Sequence, residues 1–72
     1  MSSDVCILLG KRIRELRRRR GWRQIDLAEH SGVKEVHISY VERGKREICL
    51  HNLVAIARAL GLPVSELMSC LD

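Results

Sequence analysis

Aromatic side chains are almost missing from this 72-residue chain, which has one Trp, one Tyr and no Phe. The interior must therefore be aliphatic, built from Leu, Ile, Val and Ala, and that composition suits packed helices. Paired cysteines are missing too. Cys6, Cys49 and Cys70 are odd in number, widely spaced and form no CxxC, so neither a zinc site nor a disulfide framework is indicated. Reduced thiols in a cytosol are the plain expectation, and the chain is expected to be cytoplasmic. No apolar run approaches the roughly 18 to 20 residues of a membrane span. The segment from Val5 to Leu9 is too short for a signal-peptide core and has no basic residue ahead of it. His30, His37 and His51 are scattered away from any ligand spacing, so no metal is expected. No Ser-His-Asp, Cys-His or paired-carboxylate arrangement has positional logic, so neither an enzyme nor a cofactor is expected.

What the chain does contain is helical periodicity and unevenly placed charge. An apolar fraction of 46% is ordinary for a folded protein, and the length makes one domain, residues 1–72. A core this small must be efficient or be helped by oligomerisation. The net charge is +4, but residues 11–46 hold 12 of the 13 Lys and Arg against five acids, a net +7. The remainder is net −3. A basic half and a mildly acidic half imply one face for a polyanion and another for something else.

The periodicity predicts five short helices and no strand, an all-α bundle. The first runs from Val5 or Ile7 to Arg19, with Asp4 as N-cap, Leu9, Ile13 and Leu16 inward, and Gly21 as a left-handed stop. Its last turn carries Arg17-Arg18-Arg19-Arg20. Those arginines are explained either by the helix dipole or, for some of them, by phosphate contact. The second helix spans Gln24 to His30 and the third Lys34 to Arg43. The fourth spans Leu50 to Leu60, with Leu50, Leu53, Ile56, Ala57 and Leu60 as its inward stripe. Pro63 suits the first turn of a short fifth helix containing Leu67.

The segment from Gln24 to Glu42 carries the functional argument. Ala28 is small enough for two helices to cross closely. Gly32 supplies positive φ in a three-residue turn, and Leu27, Val33, Ile38 and Val41 fill the apolar positions. With Ile38 at the centre of the buried side of the third helix, Val41 and Glu42 join it at i+3 and i+4. Val36 and Tyr40 then lie on the opposite side, flanked by His37, Ser39 and Arg43. Lys34 and Glu35 occupy the exposed tip.

The stretch GKRIRELRRRRGWRQIDLAEHSGVKEVHISYVERGKREICLHNLVAIARALGLPVSEL, about residues 10–67, resembles the lambda-repressor-like, or Xre-type, helix-turn-helix family. The most specific parts are GW-Q--LA, SGV----IS--ERG and L-NL--IA-ALG. The resemblance implies a third helix lying in the major groove of double-stranded DNA, with the second crossing the backbone. By position it implies base-facing roles for Lys34, Glu35, Val36, Ser39 and Tyr40. It implies phosphate-facing roles for Gln24 and for Gly44, Lys45 and Arg46, with His37 and Arg43 beside them. It also implies that Arg17 and Glu42 form a partly buried structural ion pair. Three departures stand out. Arg23 replaces the usual Ser or Thr cap, so about 1 kcal/mol of capping is missing, though a basic residue there suits a phosphate. Cys49 replaces a Ser cap and Ile48 a frequent Pro.

The chemistry of these side chains supports the roles unevenly. Lys34 can donate to guanine O6 or N7, and Val36 can meet a thymine methyl, the alternative for Val36 being a semi-buried contact. Glu35 either accepts from cytosine N4 or serves as a dipole partner at the helix start. The expected function is a DNA-binding transcription regulator on a palindromic operator, resembling small repressors and the controller proteins of restriction–modification systems. The domain uses up all 72 residues, so no small-molecule ligand is expected. A homodimer is expected through Leu62, Val64, Met68 and Leu71, more apolar side chains than one short helix buries alone. The rival reading is an antitoxin that binds a partner toxin and autoregulates through the same motif.

Overall fold

The computed structural model describes residues 3–71. Five α-helices follow in order: α1 (Ser3–Arg19), α2 (Gln24–Ser31), α3 (Glu35–Glu42), α4 (Leu50–Ala59) and α5 (Val64–Leu67). A 3₁₀ turn, Met68–Leu71, follows α5, and no strand occurs among the described residues. The chain is all-α, as its periodicity requires. No single described helix is long and apolar enough to cross a membrane.

The core is a single aliphatic cluster. Leu9 and Ile13 from α1 meet Leu27 from α2, then Val33, Ile38 and Val41 from the turn and α3. Leu53, Ile56 and Ala57 close it from α4, Leu60 from the cap that ends α4, and Leu67 from α5. Fully burying one such Leu or Ile contributes about 1.5 to 3 kcal/mol, so the cluster is the main stabilising term. Because α1 packs on α3, and α2 packs on both α3 and α4, α3 is held on its inner side and free on its outer side.

The helix ends follow from local chemistry. Gly32 stands at φ +77°, and its N–H donates to the Ala28 carbonyl at 2.9 Å, ending α2 where the turn begins. The Ser31 hydroxyl accepts from the Val33 N–H at 3.1 Å and tightens that turn. At Gly44, φ +69°, the Gly44 and Lys45 N–H groups return to the carbonyls of Val41 and Tyr40, a Schellman closure of α3. A Cβ at position 44 would come within 2.8 Å of the Ile7 side chain, so this glycine also lets the loop approach α1.

Two expectations, for Asp4 and Leu50, need correction. Asp4 is not the cap of the first helix, because α1 is already helical at Ser3; the carboxylate lies in the first turn, where the helix dipole still favours it. Leu16 and Ala28 face inward as expected, half-buried against the core. Leu50 is 73% exposed, because it lies with His51, Val54, Ala55 and Arg58 on an open surface of α4 and not on the buried stripe. The dipeptide that starts α4 behaves as its sequence suggests: Cys49 sits at the cap position and makes no capping hydrogen bond. All three cysteines are free thiols.

Candidate nucleic-acid interface

The outer side of α3 is built by burying its inner side. Ile38, Val41 and Glu42 are 1%, 6% and 4% exposed, which fixes the rotation of the helix about its axis. Lys34, in an extended conformation at the cap position, and then Glu35, Val36 and His37 stand exposed. Val36 is 52% exposed, an apolar side chain open to solvent on the outer side of α3. Ser39 and Tyr40 are half-buried further along the same side.

The loop after α3 gathers cations around one ring. The Arg43 and Arg46 guanidinium carbons lie 5.2 and 4.9 Å from the Tyr40 ring centroid, within cation–π range. Arg43 Nε also donates to the Ser39 carbonyl at 3.3 Å. Lys45 and Arg46 are exposed and Gly44 is half-buried between them and α1. Lys34 through Arg46 thus form one continuous surface with an apolar side chain at one end and clustered positive charge at the other.

A buried polar knot underlies that surface. Arg17 Nε donates to Glu42 Oε2 at 2.7 Å and Arg17 Nη2 to Glu42 Oε1 at 2.9 Å, a bidentate pair between α1 and α3. Arg17 Nη1 donates to the Trp22 carbonyl at 2.7 Å, so three guanidinium donors are used. The hydrogen bond to Glu42 raises the Arg17 pKa above its ordinary value, against the opposing desolvation and with help from the Glu42 charge. The Gln24 amide donates to the same carboxylate at 3.1 Å. Half-buried Gln24 is therefore held by Glu42 at the start of α2.

Arg23 solves its capping problem differently from a Ser or Thr. Its side chain has no acceptor for the helix, but its backbone N–H donates to Asp26 Oδ2 at 2.8 Å, which is half of a capping box. Its guanidinium reaches both Asp26 oxygens at 3.3 Å. The hydrogen bonds from Arg23 lower the Asp26 pKa below the usual carboxylate range. The other arginines of the basic run divide their tasks. Arg19 pairs with Glu15 at 3.1 Å, and Arg20 donates to the Leu60 carbonyl at 2.8 Å, at the C-terminal end of α4. Trp22 packs on the core edge and stacks on His30, centroids 4.2 Å apart.

One residue in this arrangement escaped the sequence reading. Gly10, inside α1, faces the end of α3: a Cβ there would meet the Val41 carbonyl oxygen at 2.3 Å and the Glu42 carbonyl oxygen at 2.8 Å. The available clue was a glycine in the middle of a helical pattern, where it costs about 1 kcal/mol against alanine unless packing requires it. Among the described residues no three His, Cys, Asp or Glu side chains gather as a metal site needs. Of the residues expected at a dimer surface, Leu62, Val64 and Met68 are half-buried against the core and Leu71 is half-buried in the final turn.

Two helices at a glycine turn, the second presenting an exposed face between a buried flank and a basic loop, are matched by a sequence model described as helix-turn-helix over residues 13–67. The chain belongs to the helix-turn-helix family, of the Xre-like type. It is 30% identical over 69 residues to the control protein C.BamHI of Bacillus amyloliquefaciens, covering 94% of this chain and 85% of that one. It is 34% identical over 65 residues to a hypothetical transcription factor of Neisseria meningitidis serogroup B, 90% of this chain but only 61% of that protein's length. Among solved structures, the restriction-modification controller protein C.AhdI from Aeromonas hydrophila superposes with a TM-score of 0.83 at 39% identity, over 86% of this chain and 94% of that one. This helix-turn-helix chain is a DNA-binding transcription regulator and not an enzyme.

Proposed function

We propose that this regulator is sequence-specific and occupies a palindromic operator as a homodimer, with α3 in the major groove of each half-site. The observation that carries the reading is the pairing of an exposed Lys34-Glu35-Val36 tip with a buried opposite side, next to the 43–46 basic loop. Lys34 offers a donor to guanine, Val36 an apolar contact to thymine methyl, and Glu35 an acceptor for cytosine N4. Ser39 and Tyr40 complete the reading face. Arg23, Gln24, His37, Arg43, Gly44, Lys45 and Arg46 hold phosphates and set the register without choosing bases. The dimer forms through the parts of Leu62, Val64, Met68 and Leu71 left uncovered in the monomer. Likeness to control proteins supports a regulatory role, in the cytoplasm, set by protein concentration and cooperative occupancy.

Selection of bound oligonucleotides from a random pool tests this directly. A two-fold symmetric site is expected, and Glu35→Ala or Val36→Ala changes the preference at defined bases. Arg46→Ala weakens all sequences alike. A preference unaltered by Glu35→Ala removes that residue from the reading face. A chain that sediments as a monomer at high micromolar concentration removes the dimer.

A further inference from the structure

The basic residues of α1, with Arg20 just beyond it, divide into those held by close hydrogen bonds and those that are not. Arg12 donates to the Glu66 carbonyl at 3.2 Å, Arg17 is buried on Glu42, Arg19 holds Glu15, and Arg20 closes the end of α4. Lys11, Arg14 and Arg18 are exposed and make no such bond among the described residues, Arg14 having only the 3.8 Å ion pair with Glu42. At 100° per residue these three positions fall within an arc of about 60° and span about 10 Å of helix. Together with Glu15 and Arg19 they line one shallow concavity on the outside of α1.

This strip adjoins the surface already described. Arg14 Nε stands 3.8 Å from Glu42 Oε1, too far for a hydrogen bond, and that oxygen is the one that accepts from Gln24. Arg14 and Gln24 therefore converge on one atom from α1 and α2, and the positive strip continues from the phosphate-facing start of α2.

We infer that the outer face of α1 is an additional DNA-backbone site, in which Lys11, Arg14 and Arg18 hold phosphates beyond those held by Gln24 and the 43–46 loop. The inference rests on the proposed DNA-binding orientation. Three cations over about 10 Å can reach up to three phosphates of one strand. It carries no donor pattern suited to base edges, so it adds affinity without sequence preference. Glu15 is the one acid on the strip, and Arg19 holds it.

The test measures binding of the full chain to the duplex recovered by that random-pool selection and to a scrambled duplex of the same length, across a range of salt. Two variants are compared, Lys11→Ala/Arg14→Ala/Arg18→Ala and Lys11→Ala/Arg18→Ala; the second spares the neighbour of Glu42 and so protects the fold. Each lost phosphate contact lowers the slope of log K against log salt by about 0.9, so the slope falls by about 2 in the double variant and nearly 3 in the triple. At about 0.15 M salt that corresponds to roughly 5-fold weaker binding per contact, equal for both duplexes. Glu15→Gln tightens both. An unchanged slope in the double variant, with wild-type melting, overturns the inference, as does a loss confined to the operator. If the wild-type chain prefers no sequence at all, the proposed sequence-specific function fails, while the slope change on scrambled DNA still decides the α1 strip.

Discussion

Glu42→Ala is the most informative single substitution, because it removes an acceptor that three side chains approach. Arg17 is 7% exposed and loses two charged hydrogen bonds, keeping only the Trp22 carbonyl at 2.7 Å. Gln24 loses its partner and Arg14 the neighbouring charge. Breaking a buried pair by removing one partner costs about 3 to 5 kcal/mol. The surviving bond from Arg17 to Trp22 places the expected loss near the lower end, about 3 kcal/mol. A domain of this size has on the order of 4 to 11 kcal/mol to lose. The melting temperature should fall by roughly 12 to 24 °C, at 4 to 8 °C per kcal/mol for a chain of this length. Thermal and urea unfolding measure it, and a cycle with Arg17→Met isolates the pair. The double variant should lose much less than the sum of the singles, since no buried charge is stranded. Melting within a few degrees of wild type, or a coupling near zero, would show that the guanidinium and carboxylate are solvated in solution and that the knot is not structural.

Three further outcomes follow from other residues. Gly10→Ala gains about 1 kcal/mol of helix propensity but drives a methyl group into two backbone carbonyls, so urea unfolding should show a net loss of about 2 kcal/mol or more. For Asp26, the folded pKa is depressed by the hydrogen bonds from Arg23, so its contribution is present above the ordinary Asp value of about 3.9 and disappears as pH falls through the lower folded value. The stability gap between wild type and Asp26→Asn should therefore close on acidification below about pH 4, and a gap that persists there contradicts the assignment. Arg20→Ala unties the end of α4 and should speed amide exchange around Leu60 and Gly61 more than in α2.

How much the sequence disclosed depended on whether a residue's role is periodic. Leu27, Val33, Ile38 and Val41 are buried where their spacing puts them, and Gly32 adopts the left-handed conformation its turn demands. The exposed tip from Lys34 to Val36 follows from that burial by rotation about the helix axis. Roles set by tertiary approach were hidden. Gly10 matters because of two carbonyls 31 and 32 residues later in the chain, and Arg20 because of one 40 residues later, and no local pattern encodes either. Leu50 sits at the edge of the apolar period of α4, and the packing turns it to the open surface with Val54 and Arg58. The Arg23–Asp26 exchange was partly readable: an acid three residues after a helix start is half of a capping box, whatever stands at the cap.

Glu42 sits on α3, and its donors come from α1 and α2, so one carboxylate joins all three helices. Apolar burial is non-directional; it sets how closely helices approach but tolerates small changes in tilt. Hydrogen bonds of 2.7 to 3.1 Å constrain direction as well as distance. The eight residues of α3 extend about 12 Å from that anchor to the Lys34–Val36 tip, so a tilt of about 10° at Glu42 moves the tip by about 2 Å. Such a displacement exceeds what a base-edge hydrogen bond accepts. Thermal stability and angular aim are therefore separable here: an apolar replacement of the whole pair could melt as high as the natural chain and still point its recognition helix at the wrong bases.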